Sequence, residues 1–213
     1  DDDAFESVRE MFAREKEEYG EGIYQYMDEV VQRIPPGSDH LICTPWMLGE
    51  RCPVSTTTTR ATLFNMTMVH TREHLMRSVY EGIGYNLRWI LENYQADYGF
   101  ACDNFRIIGG GALDDGWMQI IADITGKSFS IVKDPRNAGA VGAAVVALIG
   151  LGELSGFSHA KDFVQIDKVY HPDENNRAIY NQLFATYKEV YKSLEHAYQL
   201  ANGERFRHEE NGQ

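Results

Sequence analysis

The chain has 213 residues, 43% of them hydrophobic, which is enough for a sizeable core in one large domain or two small ones. A net charge of −12 with no basic run argues against a nucleic-acid partner and against an anionic membrane surface. Cys43, Cys52 and Cys102 are odd in number and form no CxxC pair, so a reducing cytoplasmic setting fits better than a disulfide framework.

The chain opens at Asp1-Asp2-Asp3 without Met, so this N-terminus is not expected to be the natural start. Phe5, Val8 and Phe12 predict a first helix, ended by Gly20 and Gly22. Ile23, Met27, Val30 and Ile34 predict a second, stopped by Pro35-Pro36-Gly37. Together residues 1–37 read as a helical lead-in. Leu41-Ile42-Cys43 predicts a short buried strand, Ser55 to Thr59 an exposed flexible loop, and residues 60–68 a second strand.

Over residues 71–94 the spacing of Leu75, Val79, Ile83, Leu87, Ile90 and Tyr94 predicts a long helix with one apolar stripe. Gly82 and Gly84 weaken it by about 1 kcal/mol each relative to Ala, and are expected to let another backbone come close or to permit a kink.

Phe105-Arg106-Ile107-Ile108 then predicts a buried strand, and Gly109-Gly110-Gly111-Ala112 a turn. A helix follows over residues 113–125, with Trp117, Ile120, Ile121 and Ile124 on one face. Three glycines permit positive φ and keep side chains away from a ligand, while the helix start offers free N–H groups. Such a junction suits a nucleotide or phosphate, although a tight structural turn accounts for the same residues.

Gly126 predicts a helix cap, residues 128–132 a strand, and residues 138–149 a helix whose Gly139, Gly142, Ala143 and Ala144 allow close contact. The uncharged run 138–152 has 15 residues, short of the roughly 20 that span a bilayer. Residues 163–169 predict a last strand. A final helix from Pro172-Asp173 carries Ile179, Leu183, Tyr187, Val190, Leu194 and Tyr198 on one face, and a polar, frayed tail is expected over 202–213. Alternation of strands and helices gives an α/β layer structure.

Two short motifs fail on spacing and a third has a plainer explanation. Thr125-Gly126-Lys127-Ser128 ends like a P-loop, but the glycine required at position 121 is Ile. Gly109-Gly110-Gly111 is not a dinucleotide fingerprint, because the third glycine would fall at Asp114. His70-Thr71-Arg72-Glu73-His74 has the spacing of one zinc-peptidase class, yet surface histidines at a helix start explain it, and no zinc is expected. Asp114-Asp115 have the chemistry to touch a metal, but they stand at a helix start, where acids also favour the dipole.

Four blocks in order carry a resemblance. They are Pro45-Trp46-Met47-Leu48-Gly49-Glu50-Arg51; residues 61–81 with His74-Leu75 and Ser78-Val79-Tyr80-Glu81-Gly82; Gly109-Gly110-Gly111-Ala112 with Trp117, Gln119, Ala122 and Asp123; and Ala140-Val141-Gly142-Ala143-Ala144. Over residues 38–200 they resemble the C-terminal part of an FGGY-type carbohydrate kinase, nearest the xylulokinase-like branch. Asn65 stands where the signature has Gly, and Asp115 where several relatives place Asn to hydrogen-bond the nucleotide.

The resemblance implies the actin-like, ribonuclease-H-like ATPase fold. Residues 38–201 would be the C-terminal nucleotide-binding domain of a two-domain sugar kinase, incomplete in this chain. It implies ATP with Mg²⁺, and transfer of the γ-phosphoryl to a sugar hydroxyl, a pentulose such as xylulose. The catalytic base and first phosphate loops are expected outside this chain, which alone would be inactive. Gly110, Gly111, Ala112 and Asp115 become the nucleotide-binding candidates, with Gly139 to Ala144 packed close under the turn and Glu50–Arg51 an internal ion pair. The expected partner is a sugar held mainly by an N-terminal domain, with a homodimer as candidate assembly and the cytoplasm as location. The alternative is a non-catalytic actin-like module that binds nucleotide or a partner.

Overall fold

The computed structural model describes residues 23–210 in backbone and 26–203 in side chain. The helix expected on Phe5, Val8 and Phe12, with its glycine stop at Gly20 and Gly22, lies outside the described residues. Helix α1 is Ile23–Gln32. Strand β1, Ile42–Thr44, is buried throughout and pairs antiparallel with β2, Thr62–Phe64, Cys43 opposite Leu63. Helix α2 runs Arg72–Tyr98 and ends at Gly99 in the left-handed conformation.

Strand β3, Asn104–Ile107, leads through a 3₁₀ turn, Gly110–Leu113, into α3, Asp115–Thr125. Strand β4, Ser128–Val132, pairs parallel with β3, as a strand–helix–strand crossover requires. Helix α4 is Ala138–Gly150; after a 3₁₀ segment, β5, Ile166–Tyr170, pairs antiparallel with β4. Asp173 caps a short 3₁₀ turn that opens α5, Arg177–Glu210.

Helix α3 is buried on two sides. Ile120 and Ile124 join Val31, Ile42, Trp46, Tyr85, Trp89, Tyr180 and Tyr187 in one cluster, while Met118, Ile121 and Ala122 join Phe129 and Ile131 in another. At its end Gly126 is left-handed, as expected of the cap.

Several expectations are corrected. The stripe read on α2 is only partly buried; the fully buried face is Arg77, Ser78, Glu81, Gly82, Gly84, Tyr85 and Trp89. Periodicity of apolar residues cannot find a buried face built on an ion pair and glycines. The threonine run is not a free loop: Thr56 exchanges two backbone bonds with Glu50, and Thr59 is buried. Strand β3 is not buried but alternates between exposed and half-buried residues. Strand β2 stops at Phe64 because Asn65 turns left-handed at φ 67°; Asn, like Gly, tolerates this region. Instead of fraying at Asn202, α5 continues to Glu210.

The two glycines of α2 do admit neighbours. A Cβ on Gly82 would stand 2.2 Å from the Cys43 carbonyl oxygen, and one on Gly84 2.7 Å from Ile124 Cδ1. The first neighbour is backbone and the second the tip of a flexible side chain. Gly82→Ala is therefore expected to lower stability by about 2–3 kcal/mol in spite of its better helix propensity, and Gly84→Ala by clearly less. Urea denaturation of the two variants measures the difference, and equal effects would remove the close-approach explanation.

Candidate functional site

The glycine turn is built by unequal parts. Gly109 alone of the three is left-handed side in φ, at 100°, and its N–H donates to the Pro135 carbonyl at 2.8 Å, tying the turn to the loop before α4. The chain then tightens, with Ala112 N–H donating to Gly109 O and Asp114 N–H to Gly111 O, both at 3.3 Å. A Cβ on Gly110 would meet nothing within 4 Å, whereas one on Gly111 would stand 2.7 Å from Trp117 Cζ3. Ala112 is 3% exposed and belongs to the second core cluster. Of the candidates on this turn, Gly110 is thus the one whose side-chain direction is open. The direction at Gly111 is filled by the Trp117 indole, which tilts against Tyr80 and donates from Nε1 to the Tyr80 carbonyl at 3.3 Å.

The two acids at the start of α3 divide their roles. Asp114 caps the helix, accepting the Trp117 N–H at 2.8 Å, and its other oxygen accepts the Tyr80 hydroxyl at 3.1 Å. Burial raises its pKa above the ordinary carboxylate value, and the nearby Asp28 carboxylate adds to the shift. Asp115 reaches sideways to β5: Lys168 Nζ donates to both its oxygens at 2.8 and 2.7 Å, and the Tyr170 hydroxyl donates at 2.6 Å. The bonds from Lys168 and Tyr170 hold this carboxyl below its usual value. Lys168 and Tyr170 were missed by the sequence reading. A strand was expected there, but nothing local fixes the register that sets Phe129 opposite Tyr170 and Ile131 opposite Lys168.

A cavity of about 530 Å³ opens beside this helix start, lined by Gln32, Arg33, Asp115, Gly116, Gln119 and Tyr170 among others. Asp123, also outside the site candidates, is a structural anchor: its oxygens accept Gln119 Nε2, the Asp173 N–H and Asn176 Nδ2 at 2.7–2.8 Å. A second, mostly apolar cavity of about 500 Å³ lies against α4, between Ile108, Val132, Val145 and Phe163. The small residues of α4 do not pack under the turn; Gly139 and Gly142 face open space and Val145 is the buried residue of the helix.

Of the two remaining pairs, Glu50–Arg51 is not the expected ion pair, while His70 and His74 stand at the start of α2. Among the described residues Glu50 takes no bond from the Arg51 guanidinium. Its Oε1 accepts the backbone N–H groups of Arg51 and Cys52, and its Oε2 accepts Asn86 Nδ2 at 3.2 Å. His70 and His74 each accept a backbone N–H at Nδ1, from Thr67 and Thr71, which leaves Nε2–H to donate to Asp39, to its carbonyl and carboxylate respectively. Among the described residues no group of three or more His, Cys, Asp or Glu is placed to hold a metal ion.

A strand, a glycine turn and a capped helix crossing to a parallel strand fit the actin-like ATPase fold, and similarity agrees on the fold. Residues 5–151 match the FGGY family of carbohydrate kinases, C-terminal domain, and the chain belongs to that family. It is 32% identical over 170 residues to the xylulose kinase of Bacillus subtilis (strain 168), covering 79% of this chain and 34% of that protein. It is 28% identical to the gluconokinase of Bacillus licheniformis, covering 85% of this chain and 36% of that protein. The ligand-bound xylulose kinase of Lactobacillus acidophilus superposes with a TM-score of 0.74 at 30% identity, over 82% of this chain and 35% of that one. The chain thus spans about a third of the length of the curated relatives it matches. No helix among the described residues is long and apolar enough to cross a membrane.

Two neighbouring glycines separate packing from access. Gly111→Ala must displace the Trp117 indole and is expected to lower the melting temperature by several degrees, about 1–2 kcal/mol. Gly110→Ala, with open space around its Cβ, is expected to stay within about 0.5 kcal/mol of the parent. Thermal denaturation of both variants checks this, and a reversed order would contradict the assignment.

Proposed function

We propose that this chain is the ATP-binding part of a carbohydrate kinase that transfers the ATP γ-phosphoryl group to a sugar hydroxyl, with a pentulose such as xylulose as acceptor. The observation that carries the reading is the open main-chain face at Gly110, at the head of a capped helix, in a chain of the FGGY family. Main chain without a side chain lets an adenosine group lie against the turn, and the first N–H groups of α3 add positive potential there.

On this reading residues 38–201 form the nucleotide-binding unit. Gly110 and the exposed main chain of Gly111 contact the nucleotide, Ala112 anchors the turn in the core, and Asp115 borders the ribose and phosphates. Mg²⁺ accompanies the ATP and neutralises phosphate charge when bound. The catalytic base and most sugar contacts are assigned to parts of the protein outside this chain, as the family resemblance implies. The cytoplasm is the proposed location.

The intact gene product, assayed with ATP and a panel of pentuloses, hexuloses, gluconate and polyols, is expected to phosphorylate one of them at about 1–100 per second. The 213-residue chain alone is expected to give no turnover. In the intact protein Gly110→Val is expected to raise the KM for ATP by about tenfold or more and leave the sugar KM unchanged, as loss of a nucleotide-only contact requires. ATP binding without transfer to any acceptor would favour a non-catalytic nucleotide-binding module instead.

A further inference from the structure

The start of α3 is crowded with negative charge. Asp114 and Asp115 occupy it, and Asp28 from α1 lies against Gly116, where a Cβ would stand 1.8 Å from its Oδ1. A nucleotide on the neighbouring turn brings further negative charge. Among the described residues Lys168 is the cation bonded to any of these three carboxylates.

Its placement comes from the sheet. Lys168 and Tyr170 are two apart on β5, so they leave the same face of the strand, and both end on Asp115. The two anchors take both carboxylate oxygens and fix the plane of the group. Asp115 remains 54% exposed and Lys168 50% exposed, so the pair stays open to a ligand. An ammonium group has three donors, and two are engaged by Asp115.

We propose that Lys168 is a positioning residue of the nucleotide site. It neutralises and orients Asp115, so that a turn carrying a carboxylate where a neutral donor would serve still accepts a polyphosphate. Tyr170 fixes the second direction of the same carboxylate. The inference rests on the nucleotide reading of the turn.

Titration calorimetry with adenosine, ADP and ATP on the intact gene product tests it. Removing the ammonium in Lys168→Met leaves one uncompensated charge, which is expected to weaken ATP about tenfold, ADP less, and uncharged adenosine less than about twofold. Lys168→Arg is expected to keep ATP affinity, and the double variant Asp115→Asn with Lys168→Met to return it to within about twofold of the parent, because both charges of the pair are then gone. An unchanged ATP affinity in Lys168→Met overturns the proposal. So does an equal loss for all three ligands, the mark of a structural role, and so does a double variant as weak as Lys168→Met. Gly110→Val is run alongside. If it leaves ATP affinity unchanged, the nucleotide reading itself falls, and that result is separate from any behaviour of Lys168.

Discussion

The carboxylate of Glu81, 1% exposed in the middle of α2, is the point on which the scaffold turns. Four donors converge on it: the Gly37 N–H at 2.8 Å, the Ser38 hydroxyl at 2.7 Å, Arg77 Nε at 2.8 Å and the Tyr180 hydroxyl at 3.1 Å. Arg77 continues the network to the Val31 carbonyl at the end of α1 and to Tyr180 on α5. Burial pushes the Glu81 carboxyl up from its ordinary value and the adjacent guanidinium opposes it. The Gly37 N–H and the Arg77 guanidinium can only donate, which favours the carboxylate form. Glu81 and Arg77 together so join three helices and the turn before β1, and removing Glu81 would strand a buried guanidinium.

That turn needs holding. Ser38, Asp39 and His40 all lie in the left-handed region, at φ 49°, 49° and 67°, which L-residues enter only at a cost of roughly 1–2 kcal/mol each. Glu81 clamps its first part, His70 and His74 hold Asp39 from the start of α2, and the Asn65 amide donates to the His40 carbonyl. The histidine pair that mimics a zinc motif thus works here as a brace. The brace fixes β1, the Cys43 carbonyl rests against Gly82, and α2 presents Tyr80 and Gly84 to α3. Contacts through α2, from Tyr80 to Asp114 and to Trp117, thus add to the glycine turn's own bonds.

Much of this was legible in the sequence. Apolar spacing located α1, α3 and α5, an apolar run located the buried β1, and small residues located α4; β4 and the cap at Gly126 were legible too, because each is decided by local pattern. The turn was located too, along with Gly110, Gly111, Ala112 and Asp115. Their division of labour was not. Gly111 serves Trp117, six residues on, and Ala112 serves a core closed by β4, so spacing cannot tell an open glycine from a packed one. The buried face of α2 was misread because Arg77 and Glu81 look like an exposed i, i+4 pair. Lys168 lies 53 residues from Asp115, and only strand register brings them together.

The most direct measurement is the unfolding free energy of Glu81→Gln in urea. The amide keeps the volume but loses the charge and turns an acceptor into a donor toward Arg77, the Gly37 N–H or Ser38. A loss of about 3–5 kcal/mol is predicted, as for breaking one partner of a buried ion pair. A loss below about 1 kcal/mol would contradict the account, since the turn, α1 and α5 would then be held without this carboxylate.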